Sequence, residues 1–501
     1  METRKLPHRY ATTDDYARSH PIHVVWEITL ACNLKCMHCG SRAGKARPSE
    51  LSTEECLDVV RQLARLRVRE VTIIGGEAFL RRDWLDIIRA ISDHGMHPSM
   101  QSGGLALNED RISKAKEAGL RSCGVSLDGS PELHDKLRGV RGSYEHAMRA
   151  LRLLKKYEIP SSVNTQIGAT TMPHLRELLH QIADAGARNW QIQLTVAMGN
   201  AADNDEVLMQ PYQILELMPH LAELFDEAAT LGVLIQPGNN IGYFGPYEHR
   251  WRVTDAETGH FQGCAAGHTG LGIEADGTIK GCPSLATKEY SGGNVRDMTI
   301  EDIWNHSGQL RFTRDRTVED LWGFCRTCYY ADVCRSGCTW TNHTLLGRAG
   351  NNPYCHHRAL TLASEGKRER IVKVEEAPGL PFDTGRFALL LEPLDGQGDA
   401  IVQEPPPSRA AHEIVRREAD RIPPTLTLCR GCEQYVHPGT EICPFCGGNI
   451  AAQAEAYLRR QAAIAEAADK LRALLASKRA REYHFSHEHP GREAGLPAPG
   501  E

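Results

Sequence analysis

The sequence has no apolar run long enough to span a bilayer. Its first ten residues carry Arg and Lys but lack the apolar core of a secretory signal, so we expect a cytoplasmic location. An excess of positive charge is also missing, since 58 Lys and Arg face 64 Asp and Glu and the net charge is -6. This balance argues against nucleic acid or an anionic membrane as a partner.

The remaining composition is ordinary for a globular protein. Hydrophobic residues make up 41% of the chain and charged residues 24%. A length of 501 residues predicts two to four domains.

Cysteine is abundant, with 16 residues. In a chain without a secretory signal, closely spaced cysteines are more often metal or cluster ligands than disulfides. Fourteen of the sixteen fall into three groups. Cys56 and Cys123 stand alone, and we expect each to be a small buried hydrophobic residue.

Residues 22–240 alternate short apolar runs with helical patterns, which predicts repeated βα units and a parallel sheet, closed or partly closed into a barrel. Cysteine, glycine and aromatic residues replace this periodicity from about residue 260. Prolines near residue 405 indicate a linker, and an Ala- and Leu-rich stretch near the end indicates a helix. The predicted segments are an N-terminal extension at 1–21, the barrel at 22–245, a cysteine-rich domain at 246–369, a linker at 370–424, a zinc-ribbon-like module with a helix at 425–482 and a disordered tail at 483–501.

The first cysteine group, Cys32, Cys36 and Cys39, directly follows the first predicted strand. Three thiolates on one loop can hold three irons of a cubane and leave the fourth without a protein ligand. An open metal position lets a site bind a small molecule directly. The alternative is a zinc knuckle completed by His38 or His23.

The CxxxCxxC spacing at the end of a strand resembles the signature of the radical S-adenosylmethionine (SAM) superfamily. The resemblance implies a partial (β/α)6 TIM-like barrel and a 4Fe–4S cluster that cleaves SAM reductively, which yields methionine and a 5′-deoxyadenosyl radical. Gly75, Gly76 and Glu77 resemble the family's GGEP motif, which engages the SAM amino group, with Ala78 in place of the proline.

Further polar positions resemble the SAM contacts of the family. Ser126 and Asp128 belong to an SLDG segment like the one that faces the SAM ribose and carboxylate. Asn164 and Gln193 match places where the family directs polar residues into the barrel mouth, although polar residues at strand edges are an equal alternative. The turn at 101–104 departs from the usual TNG-like sequence.

The second cysteine group begins with Cys264 and Cys282, with Gly277 between them, and continues with the spacing Cys325-x2-Cys328-x5-Cys334-x3-Cys338 and then Cys355. This pattern resembles the SPASM domain, which implies two auxiliary 4Fe–4S clusters, and a zinc-only module is the alternative. No fourth proximal cysteine lies between Cys264 and Cys282, so the resemblance leaves either an open iron or a borrowed ligand such as His268. The resemblance assigns Cys325, Cys328, Cys334 and Cys355 to the distal cluster and Cys264, Cys282 and Cys338 to the proximal one.

The third group consists of two CxxC knuckles, Cys429 with Cys432 and Cys443 with Cys446. Four thiolates in two turns suit one tetrahedral Zn²⁺, and a rubredoxin-like iron is the competitor.

The SPASM resemblance implies modification of a ribosomally made peptide or protein, in which hydrogen abstraction leads to a cross-link or an oxidation. Arg138-Gly139 and Arg141-Gly142 also resemble a stretch common in peptide maturases. Residues 1–22 are too few for a winged-helix leader-peptide domain, so recognition would fall to the zinc module or to a separate protein. A flavodoxin or ferredoxin is the expected electron donor.

Two alternatives remain at this point. One is radical SAM tailoring of a tetrapyrrole or another small molecule. The other is an iron–sulfur and zinc scaffold or electron carrier without SAM chemistry, against which the intact first cysteine group and Glu77 argue. No catalytic acid or base is identified.

Overall fold

The computed structural model describes residues 8–252, 259–406 and 423–487, with side chains up to residue 475. The chain divides into two units, Met1–Leu426 and Thr427–Glu501.

The centre of the first unit is a sheet of ten strands. Its order is β10-β9-β8-β1-β2-β3-β4-β5-β6-β7. The strands are β1 (His23–Thr29), β2 (Glu70–Gly75), β3 (His97–Ser102), β4 (Ser122–Ser126), β5 (Ser161–Ile167), β6 (Asn189–Leu194), β7 (Leu234–Pro237), β8 (Gly270–Ile273), β9 (Thr278–Lys280) and β10 (Ser291–Asn294).

Strands β1 to β7 pair in parallel with their sequence neighbours, and β8 pairs in parallel with β1. β9 and β10 continue the sheet in antiparallel fashion. The sheet runs from one edge at β10 to another at β7, so the predicted partial barrel with a parallel sheet is confirmed and the barrel is open.

Helices connect the strands and cover the outer face of the sheet. Ser52, whose backbone is extended, caps the amino end of α2. Its hydroxyl accepts a hydrogen bond from the Glu55 N–H, and the Glu55 carboxylate accepts one from the Ser52 N–H. The helices of the first unit are α1 (Thr13–Arg18), α2 (Thr53–Arg65), α3 (Trp84–Asp93), α4 (Glu109–Glu117), α5 (Pro131–Arg138), α6 (Ser143–Lys156), α7 (Leu175–Ala185), α8 (Asn200–Asp203), α9 (Ile214–Leu231), α10 (Glu248–Trp251), α11 (Thr287–Tyr290), α12 (Ile300–His306), α13 (Gly308–Arg311), α14 (Gly323–Thr327), α15 (Ala331–Cys334), α16 (Thr339–Leu346) and α17 (His356–Ser364).

The strands alternate between an apolar outer face and a polar inner face. On β6, Trp190 and Ile192 are fully buried in the main hydrophobic core, whereas Asn189 and Gln191 line a cavity in the barrel. This two-residue period is that of a strand buried on both sides, with the polar set directed inwards. The barrel interior is therefore polar.

Residues 370–402, which the sequence assigned to a linker, belong instead to a second sheet. Its strands are β11 (Lys367–Glu375), β12 (Arg386–Pro393) and β13 (Ile401–Val402). Ile371 and Leu389 are buried, and Glu369 forms a buried ion pair with Arg358 at 2.5 Å. Charged residues between the apolar ones concealed this strand pattern in the sequence. Residues 403–406 show no regular structure, and 407–422 of the predicted linker lie outside the described residues.

The second unit contains the hairpin β14 (Thr427–Leu428) and β15 (Tyr435–Val436), followed by the long helix α18 (Ile450–His487). The helix extends five residues into the segment predicted as a disordered tail, and 488–501 lie outside the described residues. No helix in the described ranges is both long and apolar enough to cross a membrane.

Candidate active site and metal centres

The loop after β1 carries Cys32, Cys36 and Cys39. Its ends are held together because the Cys32 N–H donates to the Gly44 carbonyl and the Gly44 N–H to the Leu30 carbonyl, each at 3.0 Å. Burial raises the pKa of the Cys32 thiol to about 12 and that of Cys36 to about 11, and the neighbouring thiols oppose ionisation further. A bound cation is what stabilises such thiolates, so this loop fits an iron cluster.

Gly75 and Gly76 lie against this loop. A Cβ atom on Gly76 would be 2.2 Å from the Ala31 carbonyl oxygen and 2.5 Å from the Cys32 Cβ. One on Gly75 would be 2.5 Å from the Thr29 carbonyl oxygen. The two glycines thus let the end of β2 approach the backbone that leads into Cys32.

Glu77 is almost fully buried directly beyond these glycines. Its carboxylate accepts from the Ser102 hydroxyl at 2.7 Å and from the Gly103 N–H at 2.5 Å. Burial is the main cause that raises its pKa to about 7. The turn after β3, whose sequence departs from the family pattern, therefore holds Glu77 in place.

Asp128 is engaged by a neighbour that sequence analysis did not assign to the site. The Arg138 guanidinium donates to its carboxylate through Nε at 2.7 Å and Nη2 at 2.6 Å, and both side chains are buried. Arg138 also donates through Nη1 to the Cys36 Sγ at 3.7 Å. The sequence indicated Arg138 only as part of the Arg-Gly stretch. Its contacts with Asp128 and Cys36 depend on the fold, which places the end of α5 beside the cluster loop.

The remaining predicted SAM contacts lie on three neighbouring strands, with Ser126 and Gln193 near the carboxyl ends of β4 and β6 and Asn164 in the middle of β5. Ser126 ends β4 and is in register with Asn164 on β5. Asn164 donates from its side-chain amide to the side-chain oxygen Oε1 of Gln101. Gln193 on β6 is in register with Gln166. The structure brings Gln101 and Asn164 together and places Gln193 two strands from Ser126.

A cavity of about 580 Å³ lies inside the barrel towards the amino ends of its strands. The cluster cysteines and the predicted SAM contacts do not line this cavity, but Gln101, which accepts a hydrogen bond from Asn164, does. The cavity's only Lys or Arg among the described lining residues is Arg9, whose Nη2 lies 2.6 Å from the Glu70 carboxylate. Burial lowers the pKa of His23 to about 3, so that this imidazole is neutral at pH 7. The strands contribute mostly amides and hydroxyls: Ser99, Gln101, Ser122, Ser161, Ser162, Asn189, Gln191 and Gln236.

The four cysteines predicted as distal ligands line one small pocket, together with Tyr330 and Asn352. Backbone N–H groups donate to two of the sulfurs, from Asn352 to Cys325 and from Tyr330 to Cys328, each at 3.4 Å. Burial raises the pKa of Cys334 and Cys355 far above that of a free thiol. The four distal cysteines are Cys325, Cys328, Cys334 and Cys355.

The three proximal cysteines also come together, although they are separated by up to 74 positions in the chain. Burial, followed by the proximity of Cys264, raises the pKa of Cys282 to about 11 and that of Cys338 to about 12. His268, the suggested extra ligand, is buried with its ring 5.1 Å from that of Tyr16.

The cysteines of the second unit differ in their spacing from both of these groups. Among the described residues, they form the one group of thiols in which all sulfurs lie within 4.8 Å of one another. Cys429 and Cys446 are 3.8 Å apart and Cys432 and Cys443 are 3.7 Å apart. Sulfurs at 2.3 Å from one tetrahedral ion are separated by about 3.8 Å. This geometry fits a single metal ion rather than a cubane.

The lone cysteines are buried, as predicted, with Cys56 and Cys123 each 1% exposed. A contact that the sequence did not predict joins the cluster loop to the β11–β12 connection. Arg42 on the loop donates to Asp383 at 2.7 Å and forms an ion pair with Asp203 at 2.5 Å. Asp383 lies 341 positions and Asp203 161 positions from Arg42 in the chain, so no local sequence signal indicates these contacts.

Comparison with known families agrees with this geometry. The sequence model of the radical SAM superfamily matches residues 26–184, and that of the SPASM iron–sulfur cluster-binding domain matches residues 264–329. The chain is a radical SAM enzyme with a SPASM domain, and these two domains imply 4Fe–4S clusters and SAM as cofactors. The scaffold alternative is therefore set aside.

Two curated relatives differ in what their names say they make. An AdoMet-dependent heme synthase of Oleidesulfovibrio alaskensis is 29% identical over 67% of this chain and 87% of its own length. The mycofactocin maturase MftC of Mycolicibacterium smegmatis is 28% identical over 67% of this chain and 82% of its own. Among solved structures, Streptococcus suis SuiB bound to the precursor peptide SuiA shares the fold, with a TM-score of 0.51 and 15% identity over 64% of this chain and 72% of that one.

Proposed function

We propose that this enzyme modifies a ribosomally made peptide or protein by radical chemistry. Cys32, Cys36 and Cys39 would hold the cluster that supplies the electron for reductive cleavage of SAM to methionine and a 5′-deoxyadenosyl radical. This chemistry would remove a hydrogen atom from the substrate and lead to a cross-link or an oxidation.

The composition of the barrel cavity is the observation that carries the proposal. Its strands present neutral amides and hydroxyls, which suit the amide and carbonyl groups of a peptide backbone. A tetrapyrrole with several carboxylates needs cations, because a buried carboxylate is costly unless it is paired. Arg9 is already paired with Glu70 and would have to leave it to serve such a substrate. The name of the mycofactocin maturase relative supports the same choice.

Tetrapyrrole tailoring is the second candidate, because the heme synthase relative is as similar to the chain as the maturase. In either case Glu77 would accept from the SAM ammonium, with Gly75 and Gly76 allowing the approach. Ser126, Asn164 and Gln193 would supply hydrogen bonds from β4, β5 and β6. Asp128 would act together with Arg138 rather than alone, since their charges are paired.

The auxiliary clusters and the C-terminal metal complete the proposed cofactor set. Each auxiliary site would hold one 4Fe–4S cluster on the cysteines grouped above. The second unit would bind one Zn²⁺ as a structural ion, and a module this small is expected to depend on it for folding. Leader-peptide recognition by this module or by a separate protein, and electron supply by a flavodoxin or ferredoxin, remain parts of the proposal.

The test compares two substrates on the anaerobically reconstituted full chain with SAM and dithionite. One is a short precursor peptide encoded beside the gene, and the other is a carboxylate-bearing tetrapyrrole. We expect a mass change in the peptide that depends on Cys32, and the Cys32→Ala variant is the control. A mass change in the tetrapyrrole alone would replace the peptide proposal with the second candidate.

A further inference from the structure

Two side chains lie between the SAM-cluster loop and the proximal auxiliary cysteines. Met198 belongs to the segment between β6 and α8, and it is 1% exposed. Trp340 lies in the first turn of α16, two residues after Cys338. The Trp340 indole Nε1–H donates to the Met198 thioether sulfur at 3.3 Å.

Met198 is held on the cluster loop by several contacts. Its Sδ would lie 3.7 Å from a Cβ on Gly40, the residue after Cys39. The next residues dock on the same backbone, since the Asn200 N–H donates to the Cys39 carbonyl at 3.0 Å and its side-chain amide to the Cys36 carbonyl at 2.8 Å. The thioether is thus fixed against the loop that carries the three proposed ligands of the SAM cluster.

Trp340 reaches the proximal site in a different way. It packs on an apolar group that also contacts Cys264 and Cys282, and on a second group that contains Met198. The backbone of Thr339 joins it to Cys338. The indole is therefore in contact with the surroundings of all three proximal cysteines and with the thioether at the SAM-cluster loop. The first apolar group is Ala266, Leu285, Tyr290 and Phe312.

We propose that Met198 and Trp340 form an electron-transfer bridge between the proximal auxiliary cluster and the SAM cluster. Electrons tunnel better through packed atoms than across an unfilled gap. Met198 and Trp340 are polarizable side chains in direct contact, and their packing groups reach both cysteine sites. The bridge would carry one electron from a reduced proximal cluster, which Cys264, Cys282 and Cys338 would hold, to an oxidised SAM cluster, which Cys32, Cys36 and Cys39 would hold. No bond or proton is exchanged. The inference rests on the proposed clusters but not on the identity of the substrate.

The experiment counts electrons in the reconstituted full chain. The protein is reduced with dithionite, freed of excess reductant, mixed with excess SAM and frozen at set times. Methionine release is measured together with the electron paramagnetic resonance signal of the reduced auxiliary cluster. We expect a fast phase from the electron already on the SAM cluster, then a slower phase as the auxiliary signal decays.

The bridge variants are Trp340→Leu, which opens a gap, and Met198→Leu, which keeps the volume but removes the sulfur. We expect the slower phase and the decay of the auxiliary signal to be several-fold slower in both, with the fast phase unchanged. The matched control is Trp304→Leu, because Trp304 is a buried indole that instead donates to the Ser19 carbonyl. If one bridge variant loses iron, the other decides.

Equal slow phases in the wild type, the bridge variants and the control would overturn the bridge and leave Met198 and Trp340 as packing residues. A wild-type protein with a fast phase but no decay of the auxiliary signal would also overturn it. Absence of both phases of methionine release in the wild type would contradict the proposed function and the bridge together.

Discussion

The substitution Gly76→Ala should selectively remove the SAM cluster. The added Cβ would lie 2.2 Å from the Ala31 carbonyl oxygen, whereas a carbon approaches such an oxygen to about 3.3 Å, so the strand end and the loop must separate by roughly 1 Å. Metal–ligand distances hold to about 0.2 Å, and Cys32 directly follows Ala31. We therefore expect the loop to lose its cluster while the two auxiliary clusters stay bound.

The assay is the iron content of the reconstituted protein, with SAM cleavage as a second measure. Iron should fall from about twelve to about eight atoms per chain. The strain should also lower the free energy of unfolding by about 1–3 kcal/mol, which a denaturant titration measures.

Gly44→Ala is the matched control, since Gly44 closes the same loop but a Cβ there meets no atom within 4 Å. It should keep both iron and activity. If Gly76→Ala bound as much iron as Gly44→Ala and cleaved SAM equally fast, the argument from close approach would be refuted.

Three further predictions concern the acidic residues and the metal of the second unit. Burial raises the pKa of Glu77 to about 7, so its carboxylate becomes protonated as the pH falls through 7. Calorimetry should therefore show weaker SAM binding at pH 6 than at pH 8. A pH dependence that persists in Glu77→Gln would contradict this role. Cys443→Ser should remove about one zinc per chain by elemental analysis without changing the iron content, and retained zinc would contradict the single tetrahedral site. Asp383→Asn weakens the 2.7 Å contact with Arg42, so a chelator should extract iron from the SAM-cluster loop several-fold faster than from the wild type. An unchanged rate would show that this contact does not support the loop.

Much of this protein follows from local sequence patterns. The alternation of short apolar runs and helical patterns at 22–240 predicted the parallel sheet of the barrel, because a strand's side chains alternate and a helix's recur every three to four positions. The SAM-cluster loop and the two zinc knuckles each lie within a few residues of chain, so their spacing alone indicated metal-binding chemistry. The capping box of Ser52 and Glu55 is local in the same sense, since its two residues are only three positions apart.

Tertiary structure decided everything that depends on residues distant in the chain. The contacts of Arg138 with Asp128 and Cys36, the anchoring of Arg42 by Asp383, and the contact of Met198 with Trp340 each join elements that no sequence period connects. The sheet at 367–402 was missed because its strands are rich in charge and bury only alternate residues. Sequence determined which chemical groups the protein carries, and folding decided which of them touch, because contact requires chain segments to meet in space.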